Sequence, residues 1–307
     1  MAVDMGFDEG GDQDTLILSA QVGIVAQSKK MHTRWKALIR KAELPFFHSI
    51  DYDNVTKGIF RHLSKNERSE LLEALCGHLR KRMTVGLTVK MTLSNYKSKT
   101  DNEFRSRWAA AYPFCAEVLV SYANLVMQAF GLGDEINILI EDGHPNASQA
   151  VGIFERMKKS RDGGFAHLPM HILTVGLGSK ADWPILQSAD MLAYSEWQNL
   201  NGKRGDIYDQ LHVKGSRYQV VYLDLDNDVM DEMLFIAKKS DASKALLSEF
   251  RKYERTKSQE LLNDLNQRLR EFRQDYEGTD GGSSQRDQGG TGSREGAENT
   301  STEEAKG

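Results

Sequence analysis

A mixed α/β fold, one sheet with helices packed on its faces, is what this 307-residue chain predicts. Three observations carry that expectation. An alternating apolar run at the N-terminus passes through a glycine turn into a second apolar run, strand-like and helix-like segments then alternate from residue 83 to residue 200, and caps or glycines punctuate the helices. Hydrophobic residues make up 39% of the chain, enough for a substantial core.

Val3, Met5 and Phe7 alternate with Asp4, Gly6 and Asp8, and residues 15–26 are rich in Leu, Ile and Val after the turn GGDQD, which predicts an antiparallel hairpin. Residues 29–42 and 64–82 have helical apolar spacing, and Ser64 with Glu67 three residues on is a capping box. With the loop LPFFHSIDYDN between them they form a helical insert over about 29–82. A third strand is expected at 83–92, and a long helix over about 103–130 is ended by Gly131 and Gly133. EINILIEDGHPNASQAVGIFERMKKS then reads as strand, turn and helix, with Asn146 or Ser148 as cap. A strand at 169–176 leads through GSKADWP into a helix over 184–200.

These elements define a core domain over 1–205. A C-terminal strand (217–226) and helical extension are expected over 206–276, where apolar residues at 246, 250, 253, 261, 265, 269, 272 and 276 make a coiled-coil-like stripe. Such a stripe serves intramolecular packing, a protein partner or a homodimer. Residues 277–307 hold eight glycines and almost no apolar side chains, the composition of a disordered tail.

The net charge of -4 conceals a segregation, since residues 29–107 carry 18 Lys and Arg against 8 Asp and Glu. A phosphate-rich partner suits that middle region. The stretch HLRKRMTVGLTVK places Arg80, Lys81, Arg82 and Lys90 as nucleic-acid-backbone contacts, with Lys29, Lys30, Arg34, Lys36, Arg40 and Lys41 on the preceding helix; a solvated helix face is the competing meaning. Cys76 and Cys115 stand alone, so neither a disulfide framework nor a cysteine zinc site is expected. Without a signal-peptide pattern, and with Glu117, Ser121, Asn124 and Gln128 striping the most apolar helix, a cytoplasmic protein with no membrane span is expected.

Three acidic clusters fall where strands end or a helix follows one: Asp8-Glu9, Glu141-Asp142, and Asp190 within QSADMLAY. Carboxylates gathered at neighbouring strand ends repel unless a cation neutralises them. Hard oxygen donors favour Mg²⁺ or Mn²⁺, and a pair of such ions can activate water and stabilise the leaving oxygen of a phosphodiester. Neighbours on a strand face opposite ways, so Asp8 and Glu9 are not expected to aim at one ion while the strand stays regular, and the choice between Glu141 and Asp142 stays open. For Asp190, on a core helix among Ala189, Met191 and Leu192, a salt bridge to a nearby Lys or Arg is the alternative to a metal.

The stretches FDEGGDQDTLILSAQVGIV, LPFFHSIDY, ILIEDGHPN and ILQSADMLAYSEW together resemble the domain of unknown function 3800 family over about residues 3–203. That family begins with a strand ending Asp-Glu-Ser-Gly, has Phe-His in its insert, and carries Gln-x-x-Asp followed by two hydrophobic residues and Ala in its last core helix. The resemblance implies a ribonuclease H-like fold. It makes Asp8 the first-strand ligand, Glu141 or Asp142 the central-strand ligand and Asp190 the late-helix ligand. Gln187 lies one turn before Asp190, His48 approaches from the insert, and Glu9 is left to a turn, a supporting position or the far side of the sheet. The chain departs from the pattern at Gly10, where serine is usual.

The expected function is metal-dependent phosphodiester hydrolysis, nuclease-like, with a nucleic-acid-binding or adaptor protein that retains the fold, or a small-molecule phosphohydrolase, as alternatives. Other features point less far. His144 precedes a proline in a loop, Pro169 interrupts the spacing of His167 and His171, and VGLGSKADW lacks the full spacing of a phosphate loop.

Overall fold

A computed structural model of the protein describes residues 1–226, apart from 57, 101–104, 106–109 and 160–170. Its centre is a six-stranded sheet of β1 (Ala2–Gly11), β2 (Thr15–Ile24), β3 (Val85–Thr92), β4 (Glu135–Glu141), β5 (His171–Gly178) and β6 (Gln219–Asp224), in the order β5-β4-β1-β2-β3-β6. Only β2 runs against the others. It pairs antiparallel with β1 and β3, while β1 with β4, β4 with β5, and β3 with β6 are parallel.

The expected hairpin forms around Gly11, whose φ of +120° few L side chains adopt. Asp12 then closes the turn, its Oδ1 accepting from the amides of Asp14 and Thr15 at 2.9 Å each. The insert comprises α1 (Val25–Lys41), α2 (Ser49–Asp53) and α3 (Lys65–Arg82), the last opened by the Ser64–Glu67 capping box. Beyond β3 come α4 (Leu93–Lys99) and α5 (Ala111–Ala129), the latter within the expected 103–130 helix, of which 103–104 and 106–109 lie outside the described residues. The remaining helices are α6 (Ala147–Lys159), α7 (Pro184–Leu200) and α8 (Asp206–Leu211).

Strand alternation divides the core between the two faces of the sheet. Val3, Met5 and Phe7 of β1 pack with Phe114 and Leu119 of α5 and Phe154 of α6. On the other face Ile185, Leu186 and Leu192 of α7 join Trp35 of α1 and Leu75 and Leu79 of α3. Each such fully buried side chain contributes roughly 1.5–3 kcal/mol. Helix α7 lies close on the sheet because β1 turns glycines toward it: a Cβ on Gly6 would sit 2.6 Å from Ile185 Cγ2, and one on Gly10 would sit 3.2 Å from the backbone of Ala193. Gly10 thus lies inside β1 as a packing position, and Gly11 alone begins the turn.

The extension expected from residue 206 begins inside this core. Helix α8 packs Ile207 and Leu211 into the α7 face, and β6 is the sixth strand of the same sheet. The 241–276 stripe and the 277–307 tail lie outside the described residues. Among the described residues no helix is long and apolar enough to cross a membrane.

Candidate metal centre

Topology places the acidic residues before any side-chain argument is needed. The chain leaves β1 by the hairpin to β2 on one side and leaves β4 through α6 to β5 on the other, so the carboxyl ends of these two neighbouring parallel strands lie side by side while their connections diverge. Asp8 lies near the end of β1, Glu141 is the last residue of β4, and the last β1–β4 pair is Phe7 with Ile140.

One carboxylate oxygen each from Asp8, Glu9 and Glu141 lie within 4.8 Å of one another. This corrects the expectation that Asp8 and Glu9 do not both aim at one ion while the strand stays regular, since β1 keeps its pairing with β2 as far as Gly11 and Leu16. The physical reason is the strand end: past Ile140 no β4 residue pairs with β1, so the longer Glu9 side chain can reach round the free flank to the Asp8 side. Glu141, not Asp142, is the member of its pair that joins the group. Asp142 is exposed, and its amide donates to the Gly178 carbonyl at 2.9 Å.

Asp8 is 1% exposed, and its Oδ1 accepts from the Glu9 amide at 2.8 Å. Its Oδ2 lies 2.8 Å from the Lys180 ammonium as an ion pair. Lys180 also donates to Asp190 Oδ1 at 3.0 Å, and Asp190 Oδ2 accepts from the Ser49 amide at 2.8 Å. Asp190 therefore joins the site through Lys180 and the insert rather than through the three-carboxylate group. Gln187 forms a buried junction: its Oε1 accepts from the Trp35 indole at 2.7 Å and the Phe47 amide at 2.8 Å, and its Nε2 donates to the Lys180 carbonyl at 2.6 Å. His48, between those tethered residues, pairs with Asp51 at 3.0 Å and lies near enough to Glu141 for their charges to interact.

Burial pushes the Asp8 carboxyl well above its ordinary range; Lys180 opposes this, and the charges of Asp190 and Glu9 add to it. Glu9 is raised by burial and by Glu141, and Glu141 is raised by burial against the pull of Lys180. Burial alone would lower the Lys180 ammonium, yet Asp190 and Asp8 outweigh it and hold the group charged. Three neighbouring carboxyls all shifted toward the protonated form have the electrostatic signature that a bound cation reverses.

Two groups of this site were not among the expected residues. Lys180 stands two residues past β5 in a stretch weighed only as an incomplete phosphate loop. Tyr112 of α5 was read as part of an apolar run; it is 2% exposed, its hydroxyl has no hydrogen-bond partner, and that hydroxyl feels the charges of Glu9, Asp8 and Glu141. Its ring stacks on His144 with centroids 3.9 Å apart, which fixes it beside the loop after β4.

The expected backbone contacts fare differently. Arg80 is bound to the Gln210 carbonyl, Arg82 donates to Gln27 Oε1 at 2.8 Å, and Lys90 pairs with Asp224 at 3.0 Å and Asp226 at 2.6 Å. Lys81 is exposed. Lys29, Lys30, Arg34, Lys36, Arg40 and Lys41 of α1 are exposed as well, and Lys36 and Arg40 line a groove with Ala181 and Gln187 next to the site.

No protein-family model matches the chain, and no curated protein matches it.

Proposed function

We propose that the protein is a metal-dependent phosphodiester hydrolase of ribonuclease H-like fold, similar to the domain of unknown function 3800 family, acting on RNA or DNA with Mg²⁺ or Mn²⁺. The observation that carries this reading is the convergence of Asp8, Glu9 and Glu141 to within 4.8 Å at the carboxyl ends of β1 and β4. The mixed sheet with β2 alone reversed and helices on both faces supports the fold assignment.

The donors fit the ion. All three are hard oxygens, and an ion with bonds of about 2.1 Å holds its donors up to about 4.2 Å apart, so a small closure of the group suffices. The buried Tyr112 hydroxyl is a further polar group beside them. When bound, the ion supplies an acidified water and charge neutralisation for the phosphate. The chain's own part is positional. The Glu9 amide orients Asp8, Lys180 keeps Asp8 and Asp190 apart from mutual repulsion, and exposed Lys36 and Arg40 attract the phosphate backbone from the adjoining groove.

Labelled single- and double-stranded oligonucleotides incubated with Mn²⁺, with and without chelator, test the reading beside Asp8→Ala and Asp190→Ala. Chelator-sensitive cleavage by the wild type, lost in Asp8→Ala, is the expected result. Equal cleavage by every protein would mark a contaminant, and salt-sensitive binding without cleavage would point to a nucleic-acid-binding protein. Hydrolysis of a small phosphate ester is the second reading, favoured by the internal pairing of Arg80, Arg82 and Lys90. Nucleotide turnover without oligonucleotide cleavage selects it.

A further inference from the structure

We infer that Lys180 supplies the second positive charge of this site, so that the acidic group takes one divalent cation where four carboxylates would otherwise call for two. The inference rests on the metal-dependent reading above and specifies its stoichiometry. Four acidic side chains meet here: Asp8, Glu9 and Glu141 share one group, and Asp8 and Asp190 share another. The second of these is already bridged. Lys180 Nζ lies 2.8 Å from Asp8 and 3.0 Å from Asp190, the position an ion shared by those two carboxylates would need.

The lysine is built in rather than a passing surface side chain. Its side chain is 16% exposed, and its carbonyl is held by Gln187 at 2.6 Å. Ser179 braces the same loop, accepting through Oγ from the Ala181 amide at 3.1 Å. Asp190 has no oxygen left without a donor, because Oδ2 already takes the Ser49 amide at 2.8 Å. A second dication between Asp8 and Asp190 would have either to displace the largely buried Lys180 ammonium or to face it at close range, which like charges oppose. The other group differs: Glu9 Oε2 is buried without a hydrogen-bond partner, and so is the hydroxyl of Tyr112, which is 2% exposed. Two unmet polar atoms therefore stand on the Glu9 side of Asp8, where a single ion would bind, whereas on the Lys180 side the charge of Asp8 Oδ2 is met by its ion pair and both oxygens of Asp190 have donors.

Formal charge follows the same division. Four carboxylates and one ammonium sum to about −3, which one dication brings to about −1 and two would bring to about +1. A single ion held by Asp8, Glu9 and Glu141 would leave Lys180 as the positive partner that Asp8 and Asp190 share.

Isothermal titration of the full-length protein with Mn²⁺, with electron paramagnetic resonance to count bound ions, tests this. One ion per chain is expected for the wild type and for Lys180→Arg, which keeps the charge, and two for Lys180→Gln. Far-ultraviolet circular dichroism establishes that each variant folds. Two ions in the wild type, or one ion in Lys180→Gln, would overturn the role of Lys180 while leaving metal-dependent chemistry standing. No ion in the wild type would overturn the metal-dependent reading and this inference with it. Should Lys180→Gln not fold, Lys180→Met, which keeps the length of the stem without the charge, takes its place with the same expected count of two.

Discussion

The indole N–H of Trp35 donates to the Gln187 side-chain oxygen at 2.7 Å, joining the insert to the core helix across a fully buried contact. The same oxygen takes the Phe47 amide, and the Gln187 nitrogen holds the Lys180 carbonyl. Gln187→Leu would leave two buried donors and one carbonyl unpaired, a loss of about 2–5 kcal/mol. Gln187→Glu keeps the acceptor, and its carboxyl when neutral still carries one O–H donor, so it should be the milder change at low pH. Urea unfolding of both variants at pH 5 measures this, and equal destabilisation would refute the junction described for this residue.

Mn²⁺ should stabilise the fold, because it binds a carboxylate group that assembles only in the native state. At a hundredfold excess over the dissociation constant the gain is about 2.7 kcal/mol, which raises Tm by several degrees and is reversed by chelator. Glu141→Gln should remove most of the shift. Asp142→Asn should keep it, since Asp142 is exposed outside the group. The opposite ranking in thermal scans would exchange the roles of these neighbours.

Stability should also fall as pH rises, through Glu117 of α5. Burial pushes its carboxyl up to about 7, with Arg156 opposing in part, from an ordinary value of 4.5. Between those values the folded state holds a proton that the unfolded chain has lost, so the penalty grows across that window and is complete above it. Its size is on the order of 3 kcal/mol. Glu117→Gln should make the unfolding free energy fall less steeply between pH 5 and 8, the remaining slope coming from the raised Asp8, Glu9 and Glu141, and parallel wild-type and variant curves would contradict the assignment.

The close approach of α7 gives a coupling that can be measured. Gly6→Ala places a methyl 2.6 Å from Ile185 Cγ2 and 2.9 Å from Cγ1, a clash worth about 1–3 kcal/mol. In an Ile185→Ala background both atoms are gone, and Gly6→Ala should then cost much less. A double-mutant cycle in urea reads the difference, and additive costs would show that the sheet and helix shift apart instead.

Elements with local causes were legible in the sequence. The hairpin around Gly11, the capping box at Ser64 and Glu67, and the helix over 184–200 all follow from residues within a few positions of one another. Asp8, Glu141 and Asp190 could be nominated as carboxylates at strand or helix boundaries. Their partnership could not be read, because Lys180 and Asp8 meet only through a strand order that brings β5 and β4 beside β1. Asp190 was weighed between a metal and a basic partner, and the basic partner stood ten residues before it, in the loop that leads into its own helix. Glu9 was misplaced by a rule true of strand interiors, which lapses where the neighbouring strand stops. Tyr112 gave no polar signal among the apolar residues of α5.

The tripeptide Phe47-His48-Ser49 is fastened by its first and third amides, to Gln187 and Asp190, while His48 itself is extended at φ −138° and ψ 121°. Alternate amides of an extended chain point the same way, so both fasteners pull toward α7 and neither involves the middle side chain. Position 48 is therefore an address set independently of its occupant. Whatever residue stands there is delivered to the same spot beside Glu141, which lets the chemistry offered from the insert be exchanged, by selection or by design, without rebuilding the support beneath it.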